Sequence, residues 1–305
     1  MMRNINKGVK RRQFEIIEAE HYGMCFGVKA AIAKAQQMAD STPVTVLGDL
    51  AHNNTVKRGM TQRGALHGDL TDQSAATRDV IITAHGVADR DRKRWADQGH
   101  RVLDTTCPLV HKAHAALRDL VQAGYTPVVI GKAGHVEVRG LTGDFPQAVV
   151  VLTLDDVAAL DLVTDKIGII SQTTQQLTHV VGIVKAIENK FPTAEVCFTD
   201  TVCRPTKDRQ VALLKLCVQV ELVIVVGGSN SNNTAQLAEK CRQLGCIAYH
   251  VQSPKDIRRA WFNGIGKVGL TAGTSTPDSD ILRVKNRLQE ISGGKRALSP
   301  VVSEL

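Results

Sequence analysis

Three cysteines stand in the same local setting at three distant points of this chain. Cys25, Cys107 and Cys203 each follow a short strand-like run (FEIIEA, HRVLD and AEVCFTD), and each opens a helix-like segment. The separations, 82 residues from position 25 to 107 and 96 from 107 to 203, are far too long for a zinc ribbon or finger, whose ligands come in close C-x-x-C pairs. One unit repeated three times explains the pattern. Its junction must then bring the three sulfurs together.

The repeat continues beyond the cysteines. After Cys25 the helix VKAAIAKAQQMA leads to the strand TPVTVLGD, closing in His52-Asn53-Asn54, and later to DVIITAHG, closing in His85-Gly86. After Cys107 the helix VHKAHAALRDLVQAG leads to TPVVIGKAG, closing in His135-Val136-Glu137, and later to KIGIISQTT, closing in Thr173-Thr174. After Cys203 the helix DRQVALLKLCVQ leads to ELVIVVGGS, closing in Ser231-Asn232-Asn233, and later to GKVGLTAGTS, closing in Ser275. Helix, apolar strand, helix, apolar strand is the α/β alternation that builds a small parallel sheet with helices on its faces. Ligands of such sheets collect beyond the carboxyl ends of the strands, where the polar residues just named stand.

The expected lobes are 26–106, 107–202, and 203–291 together with the N-terminal strand 14–25. The segments 1–13 and 292–305 are expected as flexible tails. The 305 residues suit three units of this size, and 22% charged with 43% hydrophobic residues describes a soluble globular protein. No apolar run approaches the roughly 18 residues of a membrane span. The basic start MMRNINKGVKRRQF lacks the apolar stretch of a secretory signal. Seven cysteines without framework spacing argue for a reducing, cytoplasmic setting. Cys197, Cys217, Cys241 and Cys246 lie outside the repeated position and read as structural. A net charge of +8 calls for an acidic partner or substrate, but aromatic residues are only 4% of the chain. Single-strand binding needs aromatic stacking platforms, so nucleic acid is disfavoured.

Thiolates select zinc, copper(I) or iron-sulfur clusters. A structural zinc would need a fourth ligand such as histidine, whereas three cysteines on a 4Fe-4S cluster leave one iron open to a substrate oxygen. His52, His85 and His135 donate hydrogen bonds and can carry charge near neutral pH. Ser231, Asn233 and Ser275 add short polar groups on Gly-rich loops, and the whole set suits a small, oxygen-rich anion such as a diphosphate. Glu137 lies two residues after His135, on the same side if the segment is extended. Besides Asp49 it is the one carboxylate at these tips able to deliver a proton.

With these residues in place, the chain resembles the LytB-type 4-hydroxy-3-methylbut-2-enyl diphosphate reductases. The resemblance runs from about Cys25 to Pro277 through CFGVKAAI, HNNTV, AHGV, DTTCPLVHK, GHVEVRG, SQTTQ, VCRPTKDRQ, GSNSNNTAQL and TAGTSTP. It implies a pseudo-threefold arrangement of three α/β lobes around one 4Fe-4S cluster held by Cys25, Cys107 and Cys203. It also implies a diphosphate held among His52, His85, His135, Ser231, Asn233 and Ser275, with Thr173 and Glu137 handling the hydroxyl and the proton traffic. The implied reaction is a two-electron reductive dehydroxylation giving isopentenyl and dimethylallyl diphosphate, with a reduced ferredoxin or flavodoxin as acidic electron donor. The chain departs from the family pattern in His21-Tyr22-Gly23-Met24 before the first cysteine, in Arg204-Pro205 after the third, and in Val136 where proline is frequent. Asn232 stands where a second serine is common, and its amide can still donate to phosphate. Two other readings fit three cysteines: a quinolinate-synthase-like enzyme, which would favour arginine-lined tips, and a non-catalytic iron-sulfur sensor, which needs neither Glu137 nor a diphosphate cradle.

Overall fold

The computed structural model describes residues 14–293, and the expectations for 1–13 and 294–305 fall outside them. Two compact units form, one of residues 24–210 and one of the described residues 14–23 and 211–293. Two of the three expected lobes, 26–106 and 107–202, thus share one unit. Strand β1 (Glu15–Glu18) belongs to the other.

In the unit 24–210 the chain runs α1 (Phe26–Ala39), β2 (Val44–Leu47), α2 (Asn54–Gln62), β3 (Leu66–Gly68), β4 (Asp79–Ile82), α3 (Asp89–Asp97) and β5 (Arg101–Asp104). It continues through α4 (Pro108–Gln122), β6 (Thr126–Ile130), α5 (Val136–Thr142), β7 (Val149–Val151), α6 (Leu154–Ala158), β8 (Lys166–Ser171), α7 (Leu177–Lys190) and β9 (Glu195–Phe198) to the start of α8 (Arg204–Cys217). These strands make two four-stranded sheets of order β3-β2-β4-β5 and β7-β6-β8-β9, parallel throughout. The central strands are continuous apolar runs because helices cover both faces. Alternation still sorts them. On β6 and β8, Val128, Ile130, Ile167 and Ile169 face the cluster of α7 residues Val180, Ile183 and Ile187. Val129 and Ile170 face the other way, onto Ala113, Leu117 and Leu120 of α4. Those α4 positions recur at helical spacing, and truncating the fully buried Leu117 to Ala would cost about 2–5 kcal/mol.

The unit 14–23 with 211–293 repeats the plan. Its strands β10 (Leu222–Val226), β11 (Ile247–Val251) and β12 (Lys267–Ala272) join β1 in the parallel order β1-β12-β10-β11. Helices α9 (Asn232–Gln243) and α10 (Asp278–Ser292) accompany them. Leu222, Ile224 and Val226 of β10 pack on one face and Val223 and Val225 on the other. Cys217, Cys241 and Cys246 lie in the second of these cores. Helix α10 runs to Ser292, one residue past the expected lobe end, and stops at Gly293 with φ 84°, a left-handed value that favours glycine.

Each sheet holds one strand the sequence pattern did not separate from its connections: β3, β7 and β11. All three are edge strands. The runs that precede the cysteines, β1, β5 and β9, take the opposite edges. Among the described residues no helix is long and apolar enough to cross a membrane.

Candidate active site

Each cysteine of the repeat stands at the turn from strand to helix. Cys25 and Cys107 are the N-cap residues of α1 and α4, and Cys203 directly precedes α8. The three carbonyls accept the same helical bond, from the N–H groups of Lys29, His111 and Lys207 at 3.0, 3.0 and 3.1 Å. The thiols of Cys25 and Cys107 make no capping bond, so the backbone uses these residues and leaves their sulfurs available. Cys107 N–H donates to the Ala84 carbonyl at 3.0 Å, beside His85, and Cys203 N–H to the Thr173 carbonyl at 2.9 Å.

Cys25 lies within electrostatic reach of both Cys107 and Cys203. A Cβ on Gly27 would come within 2.4 Å of Cys107 Sγ, so that thiol rests on the first turn of α1, two residues from Cys25. Burial pushes the Cys107 thiol up and the Cys203 thiol up to about 11, and the charge of Cys25 adds to both shifts. A helix N-terminus ordinarily favours thiolate, and here desolvation outweighs it. Such thiols ionise when a cation takes the proton's place. Among the described residues no three His, Cys, Asp or Glu side chains are gathered around a single metal position. A polynuclear cluster has a different requirement, one thiolate on each of several irons, and three unpaired cysteines on three elements fit it. Cys197 lies half-buried on β9 and Cys217, Cys241 and Cys246 are buried.

Three imidazoles cluster in the same unit. His52 precedes α2, His85 follows β4 and His135 caps α5. Their ring centroids lie 4.9 Å (His52 to His85), 6.0 Å (His52 to His135) and 5.9 Å (His85 to His135) apart. Desolvation, helped by neighbouring histidines, pushes His85 down to about 3. Burial, then His52, Lys132 and Arg139, bring His135 down to about 4. The expectation that these rings carry charge near neutral pH is therefore corrected for His85 and His135, which are neutral there because burial penalises the cation. His135 Nδ1 accepts from the Glu137 N–H at 3.2 Å, which places the ring proton on Nε2 as a free donor. Asp49 lies 3.7 Å from His52 and 3.9 Å from Lys57, and its carboxyl sits below the usual range, chiefly through the His52 hydrogen bond.

Glu137 is a buried carboxyl, 2% exposed, as is Asp79 at 5% elsewhere in the same unit, where Arg101 neutralises it. Its segment is the first turn of α5 and not an extended tip, so the expected side-by-side placement with His135 is corrected. The N-cap imidazole holds the backbone N–H of Glu137 while the carboxylate turns to Thr173, whose N–H donates to Oε1 at 2.6 Å. Burial pushes Glu137 up to about 7, and the bonds from Thr173 offset only part of that rise. Thr173 is itself 4% exposed and gives its carbonyl to Cys203. A proton-holding carboxyl is thus one residue away from a repeat cysteine.

The other unit carries its own polar set. Ser231 caps α9, accepting from Thr234 N–H at 3.3 Å and from Thr234 Oγ1 at 2.9 Å, and Ser275 Oγ donates to Ser231 Oγ at 3.5 Å. Asn233 is buried and its Nδ2 has no partner among the described residues, a donor group held ready for an acceptor. Asn232 opens α9. Two residues were missed at the level of sequence. Thr234 organises Ser231 from the middle of GSNSNNTAQL. Arg209, 8% exposed, donates to the Pro205 carbonyl at 2.8 Å; burial lowers its pKa, and the nearby Cys25 and Cys203 offset part of that fall. A basic residue two turns after Cys203 was the available signal.

Soft thiol donors beside a carboxyl that keeps its proton near neutral pH are the equipment of a metal-dependent reductase. The LytB protein family matches residues 16–289, and the chain belongs to that family. The 4-hydroxy-3-methylbut-2-enyl diphosphate reductase of Geotalea uraniireducens is 37% identical over 284 residues, covering 92% of this chain and 99% of the relative. That of Aquifex aeolicus is 34% identical over 287 residues, covering 92% and 98%. The solved E-1-hydroxy-2-methyl-but-2-enyl-4-diphosphate reductase from Plasmodium falciparum superposes with a TM-score of 0.84 at 28% identity, covering 91% of this chain and 88% of that one. A second solved reductase, described as the terminal enzyme of the non-mevalonate pathway, gives a TM-score of 0.66 at 33% identity, covering 91% and 99%.

Proposed function

We infer that this protein is the reductase of the last step of the non-mevalonate isoprenoid pathway. It converts 4-hydroxy-3-methylbut-2-enyl diphosphate to isopentenyl and dimethylallyl diphosphate. The net change takes up two electrons and two protons, breaks the allylic C–O bond, forms a C–H bond and releases water. The observation that carries the reading is Glu137, a buried carboxyl pushed up to about 7 and bonded to Thr173 in the unit that holds Cys25, Cys107 and Cys203, within a chain of the LytB family.

Cys25, Cys107 and Cys203 are assigned as the ligands of one 4Fe-4S cluster. Bound there, the cluster supplies electrons and an open Lewis-acidic iron. Glu137 holds the proton that turns the departing hydroxyl into water, and Thr173 orients its carboxyl through the backbone bond. A neutral His85 and His135 bind the diphosphate as hydrogen-bond donors and are drawn toward the charged form as the anion arrives. His52 adds a further hydrogen-bond donor, and Ser231, Asn232, Asn233 and Ser275 contribute donors to the same ligand class. The buried, unpartnered Nδ2 of Asn233 supports this. A reduced ferredoxin or flavodoxin delivers the electrons, attracted by the +8 chain, and free cysteines suit the reducing cytoplasm.

The test is anaerobic turnover of the hydroxylated diphosphate with a chemically reduced dye. Formation of both C5 diphosphates is expected. A cluster-loaded protein that forms neither product would overturn the assignment.

A further inference from the structure

A cleft of about 680 Å³ opens between α3, α5 and the loop after β3, within the usual size of a small-molecule site. None of its lining residues belongs to the sets assigned above. Arg90 and Arg94, one turn apart on α3, and Arg139 on α5 all line it, and Val87, Val136 and Phe145 give it an apolar wall. Arg94 is engaged, donating to the carbonyls of Leu70 and Asp72. Arg90 and Arg139 make no side-chain ion pair among the described residues, although Asp69 lies within electrostatic reach of Arg139 and Asp91 is in the lining. The backbone N–H of Arg90 is pinned by Asp144 at 3.0 Å, so the end of α5 and the start of α3 are already tied.

Helix α5 is shared between this cleft and the candidate active site. Val136, Arg139, Gly140 and Gly143 recur at helical spacing on the cleft side, while Glu137 turns to Thr173. Gly140 is needed for the fit, since a Cβ there would stand 3.3 Å from the backbone of Val87, two residues after His85. A ligand that draws Arg139 toward Arg90 therefore acts on the helix that carries Glu137 and on the segment after His85.

We propose that the cleft is a second ligand site, which takes an organic diphosphate with a short apolar chain and acts on the active site through α5. Guanidinium forks suit the multiply charged head, bidentate and at low reorganisation cost, and the apolar wall takes the chain. The protein's own five-carbon products and longer prenyl diphosphates share this chemistry. The effect on turnover rests on the reductase reading, whereas the binding does not.

Calorimetry of the holoenzyme with dimethylallyl diphosphate, a ten-carbon prenyl diphosphate and inorganic diphosphate tests this on wild type and on the double variant Arg90→Gln, Arg139→Gln. Both side chains are exposed. The double variant should lose one binding event, weakened roughly 10- to 100-fold by the missing charged hydrogen bonds, and Arg90→Gln alone should keep wild-type turnover without added ligand. Lysine at both positions keeps the charge without the fork and should restore only part of the binding. The stronger of the two prenyl ligands identifies the source, and equal affinity for inorganic diphosphate would remove the apolar chain from the proposal. Binding that is identical in wild type and double variant would overturn the site. If the reductase reading failed instead, turnover would be absent in both proteins while the lost event remained visible. Arg139→Gln alone repeats the test should the double variant fold poorly.

Discussion

Replacing Glu137 by Gln should slow the enzyme and stabilise the fold at the same time. The amide keeps the shape and an oxygen for the Thr173 N–H, now at 2.6 Å, but it cannot release a proton, and general acid help is worth roughly 100- to 10,000-fold. Turnover should fall by that order with iron content and KM little changed. In the wild type, turnover should decline as pH rises through about 7, where the carboxyl loses its proton. Stability follows from the same shift. Between the ordinary glutamate value of 4.5 and about 7 the folded protein binds a proton that the unfolded chain does not, so folding stability is lost as pH rises across that window. The loss amounts to about 3 kcal/mol at 1.36 kcal/mol per pKa unit. The variant escapes it. Above pH 7.5, Glu137→Gln should therefore melt several degrees higher than wild type and below pH 4.5 it should not, a difference in which the titration of every other group cancels. Steady-state kinetics and thermal melts of the two proteins across pH 4.5–8 read both effects. A loss of less than about threefold in turnover, well under the general-acid range, or a Tm difference independent of pH, would refute the reasoning.

Cys25→Ser, Cys107→Ser and Cys203→Ser should each abolish or cripple cluster binding, because a hydroxyl is a poor substitute for thiolate on iron, while Cys197→Ser, Cys217→Ser, Cys241→Ser and Cys246→Ser keep near-normal iron; iron analysis decides, and iron loss in the second group would mean the wrong ligands were chosen. Gly27→Ala should lower iron content although it touches no ligand directly, since its Cβ would meet Cys107 Sγ at 2.4 Å; wild-type iron would show that the sulfur has room to move. In ligand-free protein, NMR of the imidazoles should find His85 and His135 uncharged at pH 5.5, given values near 3 and 4; a midpoint near 6.5 for either ring would contradict the burial argument.

The central strands were legible because a strand covered on both faces must be apolar throughout, as in LVIVV of β10 and VTVL of β2. The edge strands were not. Three-residue β3 and β7 are too short to show a period, and β11 mixes Tyr249 and His250 into its run. The cysteines were conspicuous in sequence through their repeated setting. What sequence alone misjudged were properties created by packing. His135-Val136-Glu137 reads as the tip of a strand until α5 forms, and neither the suppressed charge of His85 nor the retained proton of Glu137 exists before burial removes the water.

The central claim is that three cysteines from three turns of one repeat hold a redox cluster. Anaerobic purification with iron and inorganic sulfide analysis, read beside the visible absorbance, tests it most directly. The account predicts iron and sulfide in the four-to-four proportion of one 4Fe-4S cluster per chain, lost together on Cys25→Ser, Cys107→Ser or Cys203→Ser. A protein that reduces the hydroxylated diphosphate without sulfide, or that keeps its full cluster in any one of those three variants, would contradict it.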